Sequence, residues 1–214
     1  MEDAPAVMLA VLGACGALVK VLPELAPHQP DAPNIAALGR AALLKLSLPA
    51  RFAALAGTLD EPRLAVFVAR ARVPNDCRDL AQLYVRHGAA LARAAQLDAA
   101  ALAEMILNGD GLRQEARFLS LIAVAHVYAT EGAIAQPGGQ PTTQSPTESA
   151  SQAAAQTTLQ SPAKAAAKRL TLALSAARGV DAGSIAKQHT DPQAISAAVK
   201  AARVAAIAQA IAAS

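Results

Sequence analysis

The residues best suited to chemistry are cationic and gather toward the C-terminus. The stretches Ser184 to His189, Thr190-Asp191-Pro192 and Gln193 to Lys200 have the outline of a helix-turn-helix. In such a motif a short helix braces a second one, whose first turns enter a nucleic-acid groove. Within the outline, 184–203, the side chains placed to meet phosphate or a partner are Lys187, Gln193, Lys200 and Arg203. Lys168 and Arg169, on the preceding helical stretch, extend the same positive character. Neutralising phosphate is the main sequence-independent term in nucleic-acid binding, so this charge suits DNA or RNA. Ile185 and Ile195 are ten residues apart and the turn carries no glycine, both departures from the motif. The same residues also read as a basic, Ala-rich hairpin that docks on a protein or on the first half of its own chain.

Catalytic chemistry finds no comparable pattern. The sequence has no Gly-rich phosphate loop, no Gly-x-Ser-x-Gly elbow and no His-Glu-x-x-His, and its four histidines, His28, His87, His126 and His189, are scattered. His126 sits inside the most apolar stretch of the chain, where a hydrogen-bonded core histidine is expected. Asn108-Gly109-Asp110-Gly111 lacks the alternating carboxylates and closing Glu of a calcium loop and reads as an interhelical turn. Cys15 and Cys77 show neither disulfide nor metal-site spacing, which suggests a reducing compartment. The arginines at 63, 70, 72, 78, 86 and 93 alternate with Asp60, Glu61, Asp76 and Asp79 and read as a solvated surface. The expectation is therefore no enzyme, no catalytic residue, no metal and no cofactor.

What must position the cationic residues is an all-α chain in two unlike parts. Residues 1–134 carry 12 Lys and Arg against 13 Asp and Glu, whereas 162–214 carry 7 against 2. All five aromatics, Phe52, Phe67, Tyr84, Phe118 and Tyr128, fall in the first part. Between them, 135–161 is almost entirely Gln, Thr, Ser, Ala, Pro and Gly. Such a stretch buries too little apolar surface to offset its backbone entropy. It is expected as a disordered linker spanning about 25 to 30 Å. The organisation predicted is a multi-helix bundle over 1–134, the linker, and a small basic helical tail over 162–214.

Punctuation residues predict the helices. Asn34 should cap a helix to about Leu48, and Pro49 should break the chain before a short helix ended by Gly57. Thr58 with Glu61 forms a capping box for a helix to Arg72. From Asn75, the spacing of Leu80, Leu83, Tyr84, His87 and Leu91 predicts an amphipathic helix. Asp98 and Asp110 should cap the next two, and the apolar run Phe118 to Tyr128 should sit in the middle of the bundle. In the tail, Ser161-Pro162, Ser184 and Asp191-Pro192 should open three helices, the first closing at Gly179.

The run Ala4 to Val19 is apolar for 16 residues, short of the roughly 20 needed to span a bilayer, and reads as a buried core helix. Leu12-Gly13-Ala14-Cys15 has the form of a lipoprotein cleavage site, but the acidic start Met1-Glu2-Asp3 is unlike a secretory n-region. The reading reached is a soluble, cytoplasmic, non-catalytic helical interaction or assembly protein, self-associating or binding a protein partner. The alternative is a nucleic-acid-binding protein using 184–203. A second alternative is a membrane-associated protein anchored through 4–22.

Overall fold

The structure is a computed structural model describing residues 4–25, 32–132 and 161–213; among them every regular element is helical. The expected linker lies outside the described residues except for Ser161. Helices α1 (Pro5–Ala14) and α2 (Leu18–Val21) are followed by a 3-10 turn, Pro23–Leu25. Then come α3 (Pro33–Leu43), α4 (Leu48–Ala56), α5 (Glu61–Ala71) and α6 (Asn75–Ala92). A second 3-10 turn, Ala94–Gln96, precedes α7 (Ala99–Asn108) and α8 (Glu115–Gly132). The last part holds α9 (Ser161–Arg178), α10 (Ala182–Ala186) and α11 (Pro192–Ala212).

Helix α8 is central, as its apolar run predicts. It packs against α3, α4, α6 and α9, and Phe118, Leu121, Val124 and Val127 are buried. Helices α9 and α11 join the same core, α9 lying on α7 and α8 and α11 on α7. Leu170, Ala173, Leu174, Ala177 and Ile207 form one apolar cluster with Leu91, Leu102 and Phe118.

Several caps differ from the sequence expectation. Asn34 does not cap α3: Pro33 takes the first turn, where its fixed φ is already helical, and Asn34 is buried behind it. α3 stops at Leu43, with Lys45 in the left-handed region. Asp60, not Thr58, caps α5, accepting from the Arg63 amide. Asp110 has positive φ and closes a turn, so α8 begins only at Glu115. Asp181, not Ser184, caps α10. Asp98 and Asp191 cap α7 and α11 as expected.

The N-terminal run is neither a buried core helix nor a continuous span. Gly16, at φ +71°, ends it after α1, and of the ten residues in α1 only Leu9 is buried. The segment 4–22 read as a membrane anchor is thus not one continuous helix: Gly16 separates α1 from α2. Among the described residues one helix, α11, is long and apolar enough to cross a membrane by length and composition. It packs on α9 and α7.

Candidate nucleic-acid interface

The tail is a helical hairpin. The two helices pack on each other, and Ile211, near the end of α11, lines the same cleft as Ala165, Lys168, Arg169 and Leu172 in the first two-thirds of α9, so they run antiparallel. These residues and Ala95 line an open cleft of about 260 Å³. Gln193 lies 18 residues before Ile211 on α11, which is about 27 Å at 1.5 Å per residue. The six sequence-predicted contact residues therefore do not form one patch. Lys168 and Arg169 lie midway along α9, on the cleft that Ile211 at the end of α11 also lines, whereas Lys187 and Gln193 flank the turn between α10 and α11 and Lys200 and Arg203 lie within α11.

Their surroundings divide them further. Lys168, Lys187, Gln193 and Lys200 are exposed. Arg203 is half-buried, with its Nε covered. Arg169 is also half-buried and donates through Nη2 to the Leu97 carbonyl at 2.8 Å, tying α9 to the entry of α7. Arg178 pairs with Glu115 of α8. The two acids of the tail, Asp181 and Asp191, accept from backbone amides at the starts of α10 and α11. Helix α10 is a single turn of five residues, shorter than the bracing helix that a helix-turn-helix would use.

The first-half arginines form the mixed surface expected of them. Arg63 pairs with Asp60, Arg78 with Asp79 and Arg86 with Glu61. Arg70 grips Glu24 through Nε and Nη2, at 2.8 and 2.5 Å, and donates through Nη1 to the Val21 carbonyl. This bidentate bond holds the Glu24 carboxyl below its usual range.

Sequence reasoning missed Arg40 and Arg51, which act inside the bundle. Arg40 Nε donates to the Val127 carbonyl at 2.8 Å and Arg51 Nε to Leu46 at 2.9 Å. Neither position has a sequence signal beyond its neighbouring alanines. Also missed is an open cleft of about 450 Å³ where the starts of α4, α6 and α8 meet, lined by Ser47, Asp76, Asp79, Gln114, Arg117 and Ser120 among others. Its helix starts are legible in sequence, but their convergence is a tertiary fact.

His126, half-buried, lines a small cavity between α6, α8 and α9 with Leu91, Ile122 and Leu170. Among the described residues no three His, Cys, Asp or Glu side chains are placed to hold a metal ion. Cys77 is buried between bundle helices, and burial, with Asp76 beside it, pushes its thiol up to about 11.

No established family profile matches the chain, and no solved structure does. Curated relatives do. The chain is 31% identical to the "Multifunctional CCA protein" of Methylobacillus flagellatus over 97% of its own length and 52% of the relative's. It is 33% identical to that of Burkholderia lata over 99% of its length and 53% of the relative's. With that of Burkholderia multivorans the identity is 35% over 64% of the chain and 41% of the relative. The chain thus spans about half the length of the curated relatives it matches. This likeness, running along nearly the whole sequence, overturns the expectation of a non-catalytic helical interaction or assembly protein. With it fall the expectation that no enzyme is involved and the emphasis on protein–protein interaction; the nucleic-acid alternative is the reading better supported.

Proposed function

We propose that this chain is a helical portion of a CCA-adding enzyme, a tRNA nucleotidyltransferase, and that it helps to hold the tRNA. The observation that carries the reading is the 31% and 33% identity to Multifunctional CCA proteins over 97% and 99% of the chain. The charge distribution supports it. Once Arg169 and Arg178 are engaged with the bundle and the acids with helix caps, Lys168, Lys187 and Lys200 remain exposed along the hairpin. Exposed ammonium groups spread over both helices and the turn between them suit an extended phosphate backbone, which carries a charge at every nucleotide, better than they suit a compact anion. Gln193, also exposed, would add a hydrogen bond. The helix-turn-helix is not needed, because contacts to phosphates and ribose hydroxyls do not require a helix inserted in a groove. The working compartment is that of the tRNA, the cytoplasm.

The test is a mobility-shift titration of the full chain against a tRNA lacking its 3′-terminal CCA, at about 50 and 200 mM salt, with a duplex DNA of equal length as competitor. Replacing Lys168, Lys187 and Lys200 together with Ala should weaken binding. It should also reduce the salt slope by about two to three units, roughly one for each phosphate no longer neutralised. Absence of tRNA binding by the wild-type chain at about 50 mM salt would refute the reading.

A further inference from the structure

The cleft between α9, α11 and the turn Ala94–Gln96 combines two chemistries. Its walls are Ala95, Ala165, Leu172 and Ile211, it carries the cations Lys168 and Arg169, and none of its lining residues is acidic. Ala95 and Ile211 also pack against the main apolar cluster, which fixes that side of the cleft. Leu172 is half-buried and belongs to neither apolar cluster, so it is a leucine spent on the cleft and not on the core. Arg169, tied to the Leu97 carbonyl, stands as a fixed wall. Ala165, Lys168 and Leu172 follow one another at spacings of three and four on α9, so the exposed ammonium group and the apolar surface share one helix face.

The function proposed above puts a phosphate on Lys168. In RNA every phosphate carries a ribose and a base with it, and the cleft beside Lys168 offers apolar walls to a flat ring and no carboxylate to repel the phosphodiester. Its volume of about 260 Å³ lies below the roughly 300 to 1,000 Å³ of pockets for drug-sized ligands, which limits it to about one nucleotide. A base held in a duplex stays in its stack, whereas an unpaired one can be splayed out onto a protein surface. We infer that the cleft seats one unpaired nucleotide of the bound tRNA, with its phosphate on Lys168 and its base against Ala165, Leu172 and Ile211. The inference rests on the function proposed above and adds to it a choice between paired and unpaired RNA, which the exposed lysines alone cannot make.

The experiment titrates the full chain, at about 50 mM salt so that phosphate contacts are retained, with a blunt RNA duplex, the same duplex carrying a single unpaired 3′ nucleotide, the same duplex with a single bulged nucleotide, and both with the unpaired position abasic. The readout is each affinity relative to the blunt duplex within one protein, which cancels the shared phosphate contacts. The wild-type chain should gain on the order of tenfold from the overhang or the bulge, the low end of what base stacking on protein gives, because these walls are aliphatic. Which of the two gives the gain tells whether the nucleotide comes from a chain end or from a loop. The abasic RNAs should gain nothing. Ala165→Phe fills the cleft from an exposed position and Leu172→Ser strips a wall that lies outside the core, so both should fold, as thermal melts verify, and both should erase the gain. Val66→Phe, exposed on α5, which contributes nothing to the cleft, should keep it. The inference is overturned by equal binding of blunt and unpaired RNAs, by a gain that an abasic position keeps, by a gain that survives both cleft variants or is lost in Val66→Phe, or by tight binding of free adenosine monophosphate with no gain from either RNA, which would give the cleft to a free nucleotide. Equal, salt-dependent binding of all the RNAs removes this inference and leaves the proposed function standing, whereas no binding to any of them removes both.

Discussion

Lys168 and Arg169 are adjacent and equally charged, yet the structure gives them opposite roles, and the pair Arg169→Ala and Lys168→Ala separates structure from binding. Arg169 is half-buried and its Nη2 donates to the Leu97 carbonyl at 2.8 Å, joining α9 to the start of α7 across 72 positions of sequence. A hydrogen bond from a charged donor contributes about 1.5 to 3 kcal/mol, and partial exposure favours the lower half of that range. Arg169→Ala should therefore destabilise the fold by about 2 kcal/mol, including the packing of its aliphatic stem. In a chain of this size that lowers Tm by roughly 4 to 8 °C. Lys168 points to solvent, and its replacement should change stability by less than about 0.5 kcal/mol. Urea unfolding followed by circular dichroism measures both, provided the slope with denaturant is the same for all variants. In the tRNA titration the order should reverse when the variants are compared well below their melting temperatures. Lys168→Ala should then weaken binding and make the salt slope shallower by about one unit, with Arg169→Ala closer to wild type. A thermodynamically silent Arg169→Ala, or a Lys168→Ala that destabilises as much, would refute the assignment.

Three further outcomes follow from the bundle itself. Gly57→Val should destabilise by about 3 kcal/mol or more in the same unfolding assay, since even a Cβ there would lie 2.6 Å from Tyr84 Cε1 and 2.9 Å from Tyr128 Cε2. Those two rings are stacked at 5.1 Å, and Tyr128 donates to the Ala54 carbonyl, so neither can readily retreat. The Glu24 carboxyl is held below its ordinary 4.5, so its contribution is present above that value and lost as pH falls through the lower, folded-state pKa; Glu24→Gln should flatten this acid limb in melts taken from pH 6 to 3. At pH 8, iodoacetamide should alkylate exposed Cys15 and spare Cys77, whose thiol is buried and pushed up to about 11; mass spectrometry of the native and the urea-unfolded protein should show one adduct and then two.

Sequence alone determined what local chemistry controls. The helical class follows from the abundance of alanine and leucine, and the starts of α7 and α11 from Asp98 and Asp191-Pro192, because a cap acts within one turn of itself. The central place of α8 was legible too, since a helix apolar around most of its surface has to be covered on several sides. Where two local signals compete, sequence named the wrong one: Asn34 is buried inside α3 behind Pro33, and of the exposed pair Thr58 and Asp60 it is Asp60 that directly precedes α5 and accepts the Arg63 amide. The fate of the cations was decided by tertiary structure. Periodicity cannot distinguish Arg169, which bonds to Leu97, from Lys168, which meets water, because the difference lies in a hydrogen bond spanning 72 positions. Nor can it show that α9 and α11 run antiparallel, which separates Lys168 from Gln193 by most of the length of α11 instead of gathering the cations at one turn. The apolar run at the N-terminus reads as a core helix in sequence, and only packing shows that one side of it is left bare, because coverage belongs to the neighbours and not to the helix.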